Sequence, residues 1–593
     1  MKGKTFVEKI LGAPAGAIVF KKPDIVLTHD NTSSIINTFK KMGGKKVLSP
    51  QQLMIVLDHN APPTNAKLAN DYQKIRDFVT EQGINNFHDA GAGICHQIMS
   101  DYAKPGMIIV GSDSHTCTAG AFNTLAAGID RTEAAGLWKQ GETWFRVPQT
   151  IKINLEGKLP KGVFAKDLSL YIIGKISSSG ADYLSIEYHG DGANNLTIEQ
   201  RMTLCNLASE MGAKNSCFPP DNVLSDFIGE DIQKGIWADN DAEYFQEINI
   251  DLSKLCPLIA IPHQVDNVRT VKEMLETPIH QAVVGTCTNG RLEDLRIASK
   301  ILKGKKLPLN MQMLIIPASR NIYLEAINEG LVEIFIKAGA NVLSSSCGPC
   351  LGTGQGIPAD NFNIISTANR NFKGRMGNKN AFVYLASPAV VATSALNGKI
   401  SLPECENKEH NYFYKEKKNE TITIDNNELR KSNGVWDYSK VNNINTDLMF
   451  AGHLTYKVLS SEPKDIIPHL FEDFDPLFAK KAEINDIIIA GDNFGCGSSR
   501  EHPAVGLAHI GIQAVICKSV NRIFYRSSVN QGLPIIIQPE AVDFFNRGMN
   551  IEINFQKGVI KIEKQEFKFA PLPDKILNIF KNKGLINYIL NKE

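Results

Sequence analysis

Gly106-Met-Ile-Ile-Val-Gly-Ser112 reads as a short buried strand, an unbroken apolar run closed by small residues. Ala282-Val-Val-Gly-Thr286 and Met313-Leu-Ile-Ile-Pro317 have the same form, and helical stretches lie between such runs. Strands without polar alternation are covered on both faces, which predicts mainly parallel α/β layers over roughly the first 400 residues. Loops at strand ends are where such folds place their chemistry. After Leu402 the composition changes: Lys415-Glu-Lys-Lys-Asn-Glu420 is the core of a Lys-, Glu- and Asn-rich stretch, read as a solvated linker or surface hairpin. The β pattern resumes at Asp486-Ile-Ile-Ile-Ala490 and Ala514-Val-Ile-Cys517, so a second folding unit of about 150 residues closes the chain.

At 593 residues and 65.3 kDa the chain is too long for one core. With 64 basic and 63 acidic residues the net charge is +1, so electrostatics favours neither nucleic acid nor an anionic membrane as partner. No uncharged apolar run approaches membrane-spanning length. The first residues, Met1-Lys-Gly-Lys-Thr-Phe-Val-Glu-Lys-Ile, have no signal-peptide core, and 11 cysteines is an odd count. Reduced thiols in a cytoplasm are the expectation.

Cys347 and Cys350 share Ser344-Ser-Ser-Cys-Gly-Pro-Cys350, and Cys287 follows an apolar strand in Val284-Gly-Thr-Cys-Thr-Asn289. Structural zinc and electron-transfer clusters usually take four protein ligands, so three thiols would leave one metal corner open to substrate. Taken alone, the CxxC fits a redox pair, a zinc half-site or a chance spacing equally well, and Cys287 fits a core cysteine. Histidines recur after apolar runs, in Leu57-Asp-His-Asn60, Gly93-Ile-Cys-His-Gln97 and Gly111-Ser-Asp-Ser-His-Thr116. A carboxylate on one ring nitrogen fixes the tautomer that acid–base work requires. Thr367-Ala-Asn-Arg-Asn-Phe-Lys-Gly-Arg375 and Gly495-Cys-Gly-Ser-Ser-Arg-Glu-His502 read as carboxylate receptors. Neither has the form of a P-loop, and there is no GxSxG elbow for serine hydrolysis.

As a set, GSDSHT, GICHQ, LCNLASEMGAK, GTCTN, CGPC, NRNFKGR and GSSREH resemble the aconitase superfamily, in the family's order and across nearly the whole chain. The resemblance implies three α/β domains around an iron–sulfur cluster plus a C-terminal swivelling domain. The cluster region would span 1–405, with internal boundaries at about 190 and about 275, the charged linker 406–440 and the swivelling part 441–593. It also implies a [4Fe–4S] cluster held by Cys287, Cys347 and Cys350, with one iron lacking a cysteine ligand. Ser498 would be the base, and His59, paired with Asp58, the acid that protonates the departing hydroxyl. His96 with Asp113, and His115 with Glu210, would surround the metal-bound water. Arg370, Arg375 and Arg500 would grip carboxylates, with Ser114, Ser499, Asn206 and Asn369 also contacting or orienting ligands. In many members the two parts are separate subunits; here they read as fused, which is compatible with a monomer and leaves the oligomeric state open.

Trp144-Phe-Arg-Val-Pro148 and Glu187-Tyr-His-Gly190 resemble the isopropylmalate and homoaconitate branch. Its specificity loop corresponds to the region from Asn442 to Tyr456. Homoaconitate-type loops carry an arginine at the position of Thr455, and its absence favours an alkyl-bearing dicarboxylate, as in the leucine-biosynthetic dehydratases. An unpaired buried carboxylate costs several kcal/mol, whereas a misfitted methyl costs roughly 1–3 kcal/mol. His453, where the branch has tyrosine, and Pro503, where alanine is usual, depart from the pattern. Aconitate, homoaconitate and other alkylmalates stay open as substrates. An apo-form RNA binder and a cluster-free scaffold are the readings from other classes; the neutral charge opposes the first, and the retained cysteines, Ser498 and arginines oppose the second.

Overall fold

The structure is a computed structural model and describes residues 3–229, 232, 235–406, 429–451, 454, 462–497 and 500–592. The chain divides into two compact units. The first comprises Met1–Ser34, Ser49–Gly128 and Phe145–Glu416; the second comprises Ile35–Leu48, Ile129–Trp144 and Lys417–Glu593. Among the described residues no helix is long and apolar enough to cross a membrane.

The first unit holds three mainly parallel sheets. The first sheet contains β1 (Ile25–Thr28), β2 (Leu53–Val56), β3 (Asn86–His88), β4 (Ile108–Gly111) and β5 (Leu125–Gly128), all parallel in the order 3-2-1-4-5. The order reverses between β1 and β4, and such a reversal opens a crevice at the carboxyl ends of the strands. A second parallel sheet has the order 8-7-6-9, from β6 (Thr150–Glu156), β7 (Ser185–His189), β8 (Asn215–Cys217) and β9 (Gln246–Asp251).

The third sheet contains β10 (Leu258–Ala260), β11 (Val268–Thr270), β12 (Gln281–Gly285), β13 (Gln312–Ile316), β14 (Asn341–Val342), β15 (Asn363–Ser366) and β16 (Phe382–Ala386). Their order is 11-10-16-15-12-13-14, with a second reversal between β12 and β15. Only β10 pairs antiparallel, with β11 and β16, among these strands. The three apolar runs singled out from the sequence are β4, β12 and β13. Their residues are buried because helices such as α2 (Ala165–Ile176) and α3 (Ile198–Ala208) lie in the same apolar core.

The second unit is built on β17 (Lys431–Ser432), β18 (Val435–Tyr438), β19 (Ile487–Ala490), β20 (Ala514–Cys517) and β21 (Ile535–Ile537), which adjoin in that order. The charged stretch read as linker to residue 440 thus contributes its last residues to a sheet, because Val435, Trp436 and Tyr438 bury their side chains there. Residues 407–428 lie outside the described residues. The helix α1 (Arg131–Gln140), from the first third of the chain, packs in this unit against α4 (Arg522–Gln531) and the C-terminal helix Leu585–Leu590.

Candidate active site

Most chemical groups of the first unit stand just beyond the carboxyl end of a parallel strand; Asn206 on α3, Glu210 just after it and His96 in a short helix are the exceptions. His29 and Asp30 follow β1, Asp58 and His59 follow β2, and Asp113 to His115 follow β4. Cys287 follows β12, Cys347 and Cys350 follow β14, and Asn369 to Arg375 follow β15. The turn into Cys287 requires a glycine. Gly285 has φ 143°, and a Cβ there would come within 2.3 Å of the Ile316 carbonyl oxygen.

The carboxylates and imidazoles form pairs. Asp58 Oδ1 lies 2.7 Å from His59 Nδ1, and Asp113 lies 2.8 Å from His96 Nε2 and 3.4 Å from His59 Nε2. His115 Nε2 lies 2.7 Å from Glu210, whose two oxygens also accept from Arg370 Nε at 2.9 Å. Arg370 Nη2 donates to the Ser114 hydroxyl at 2.9 Å. Burial works against ionisation of these acids, but their cationic partners win. Glu210 is held at about 2 by Arg370 and His115, Asp58 at about 2 by His59, and Asp113 well below the carboxylate range by His96, His115 and His59. Burial pulls His59 down, yet Asp58 and Asp113 hold it well above the ordinary imidazole value.

Cys287, Cys347 and Cys350 form no disulfide. Asn206 and Asn369 donate side-chain N–H groups to Cys287 Sγ at 3.3 and 3.4 Å, and Arg375 Nη2 donates to Cys350 Sγ at 3.2 Å. Burial, with Cys350 second, pushes the Cys287 thiol up to about 12; burial, then Asp58, Cys287 and Cys350, pushes Cys347 well above the usual thiol value. Donors aimed at sulfur favour thiolates, while burial opposes them unless a cation is present. That combination of donor set and environment fits a thiolate-held metal group.

Several participants were not singled out in the sequence. His29 stacks on His59, with ring centroids 3.9 Å apart and planes at 13°. Burial, then the neighbouring His59, lowers it to about 4, and its Nδ1 has no hydrogen-bond partner among the described residues. Asp30 accepts from the backbone N–H groups of Asp58, His59 and Asn60 and from the Tyr72 hydroxyl, so it shapes the turn that carries His59. The run Asp24-Ile-Val-Leu-Thr-His-Asp30 carried the signal, since it repeats the apolar-run-then-histidine form of Leu57-Asp-His-Asn60. The buried Arg291 donates to the carbonyls of Cys287 at 2.8 Å and Thr288 at 2.6 Å.

In the second unit, Arg500 donates to Asp447 at 2.5 Å and to the Phe450 carbonyl at 3.3 Å. Glu501 reaches the first turn of α1, accepting from the N–H groups of Arg131 and Thr132 at 2.7 and 3.2 Å and from the Thr132 hydroxyl at 2.9 Å. Ser498, Ser499, His453, Thr455 and Tyr456 lie outside the described residues.

The first unit thus gathers histidine–carboxylate pairs and three free thiols in an α/β fold. The Aconitase family (aconitate hydratase) matches residues 4–398, and the aconitase C-terminal domain matches residues 410–540. The chain belongs to the aconitase family, hydro-lyases that generally carry a 4Fe–4S cluster. It is 46% identical over 386 residues to a probable methanogen homoaconitase large subunit of Methanosarcina mazei, covering 64% of this chain and 98% of that one. It is 44% identical over 412 residues to a 3-isopropylmalate dehydratase large subunit of Archaeoglobus fulgidus, covering 68% and 99%. A crystal structure of a 3-isopropylmalate dehydratase from Methanocaldococcus jannaschii matches 26% of this chain and 89% of its own, at 34% identity and a TM-score of 0.23.

Proposed function

We propose that this chain isomerises a hydroxy di- or tricarboxylic acid by dehydration and rehydration, with a 3-isopropylmalate-like alkylmalate as substrate. The supporting observation is the gathering of two buried thiols and the half-buried Cys347, three side-chain donors to sulfur and the His59, His96 and His115 carboxylate pairs in one unit. Cys287, Cys347 and Cys350 would hold a [4Fe–4S] cluster whose remaining iron supplies Lewis acidity and a template for the substrate's hydroxyl and carboxylate.

The elimination breaks one C–H and one C–O bond. Ser498 takes the carbon-bound proton, and its alkoxide depends on Arg500 and neighbouring backbone N–H groups. His59, kept protonated by Asp58 and Asp113, delivers a proton to the departing hydroxyl, which leaves as water. Rehydration returns the proton and hydroxyl to exchanged carbons. Arg370, fixed by Glu210 and Ser114, presents its remaining N–H groups to a substrate carboxylate, and Arg375 binds another. Asn206 and Asn369 orient the sulfur they touch, and Ser114 and Ser499 position substrate oxygens.

The matched relatives carry both homoaconitase and isopropylmalate dehydratase names, so the choice rests on Thr455-Tyr456, which supplies no cation for a third carboxylate. Turnover of the anaerobically reconstituted enzyme on a panel of 2- and 3-hydroxy acids tests it. An alkylmalate is expected to be used fastest. Faster use of citrate or homocitrate would replace the assignment with an aconitate or homoaconitate hydratase.

A further inference from the structure

The thiol pocket has a charged neighbour that the proposed reaction does not use. Lys166 sits in the first turn of α2, and its side chain is 0% exposed. Its Nζ donates to the carbonyl oxygens of Thr367 at 3.0 Å and Ala368 at 2.6 Å. These are the two residues before Asn369 and Arg370, which contact Cys287 and Glu210 respectively.

An ammonium removed from water without a counter-charge costs several kcal/mol, so a buried lysine needs a compensating anion. Among the described residues no carboxylate forms an ion pair with Lys166. The groups that favour its charge are first Cys287 and Cys350, then Glu210 and Asp294. Its neighbour Asp167 is engaged elsewhere, accepting from the backbone N–H groups of Leu258 and Phe164 at 2.9 Å. Burial draws Lys166 down to about 7 against the pull of those anions. Two neutral carbonyls accept from two of its three N–H groups but leave the charge itself unbalanced.

We propose that Lys166 is a positioning residue of the cluster pocket that pins the turn carrying Asn369 and Arg370 and serves as the buried counter-charge to the thiolates of Cys287 and Cys350. This rests on the cluster reading above. Binding of the cluster and retention of the lysine's proton then reinforce one another, since each supplies the charge the other needs. The role differs from that of Arg375, which touches sulfur directly, because Lys166 acts through space and through the main chain.

The test uses the full-length chain, reconstituted anaerobically, with Lys166→Gln and Lys166→Met beside the unmodified protein. Gln keeps a donor for the carbonyls without charge; Met keeps neither. The readouts are the midpoint potential followed by EPR, the rate of iron release to a chelator, and far-UV circular dichroism. Both variants are expected to shift the potential to more negative values, because a positive charge beside the cluster favours the reduced state. Iron release is expected to rise about tenfold, the scale of lost support around a metal site, and further in Lys166→Met. Unmodified potential and iron release in Lys166→Gln would overturn the counter-charge role, and unmodified values in both variants would overturn the whole proposal. If Lys166→Met does not fold, Lys166→Arg supplies the second arm, and potentials that fail to separate Arg from Gln would overturn the charge argument. A failure of the unmodified protein to take up iron would overturn the cluster reading instead.

Discussion

Asp113 and Asp130 are both aspartates at the N-terminal end of a helical turn, each accepting a backbone N–H of that turn at 2.7 Å, yet they ionise in opposite ways. Asp113 faces His96, His115 and His59 and is held well below the carboxylate range. Asp130, in the second unit, faces the carboxylates of Glu501 and Glu133 and is pushed up from 3.8 to about 8. Burial opposes charge in both, so the sign of the neighbours decides the outcome. The first cluster keeps its acids charged and holds His59 well above the ordinary imidazole value. The second is a joint. Glu133 is bound by Arg526, with 2.8 Å from Nε to Oε2, and Asn530 donates to Asp130 at 2.7 Å.

Substitutions can break this contrast, and the largest effect is expected from Cys287→Ser. It should abolish the visible absorbance of the reconstituted cluster and all measurable turnover, while denaturant unfolding of the second unit stays unchanged. A wild-type absorbance spectrum would remove Cys287 from the site. Asp113→Asn comes next: three imidazoles lose a shared anion, and kcat should fall about 10²–10⁴-fold with the melting temperature retained. A matching collapse of stability would make Asp113 a structural residue like its counterpart.

Arg526→Met addresses the joint. Stranding the buried Glu133 carboxylate should cost about 3–5 kcal/mol in denaturant unfolding, and adding Glu133→Gln should recover part of that loss. The smallest effect is a pH dependence. Because folding raises the Asp130 value, its stabilisation is complete below about pH 4 and is lost as pH rises towards about 8. Asp58 and Glu210, lowered to about 2, contribute stability above the ordinary carboxylate range that is lost as pH falls towards about 2. Asp130→Asn should therefore flatten unfolding free energy between about pH 5 and 8, removing a slope of at most about 1.4 kcal/mol per pH unit. An unchanged slope would show that Asp130 is not the crowded acid.

The strands were legible because Ile108 to Val110, Ala282 to Val284 and Met313 to Ile316 are continuous apolar runs, and their ends marked the thiols and most of the histidines. His29 carried the same local signal, but a lone histidine reads as a structural residue until its stacking on His59 is visible. Lys166 carried no signal. Its burial is imposed by a turn about two hundred residues away, and local periodicity does not report such packing. The inclusion of residues 129–144 in the second unit was hidden for the same reason, since Glu133 and Arg526 are 393 residues apart.

That separation bears on how the protein can be cut. A fragment beginning after the charged stretch would keep Arg526 but lack Glu133 and the Trp144 ring and carbonyl against which the guanidinium lies. The C-terminal segment is thus an incomplete object, finished only when α1 arrives. As two chains, that completion would be a bimolecular encounter that dilution can reverse. As one chain, the tether fixes the local concentration of α1 at roughly millimolar, whatever the abundance of the protein.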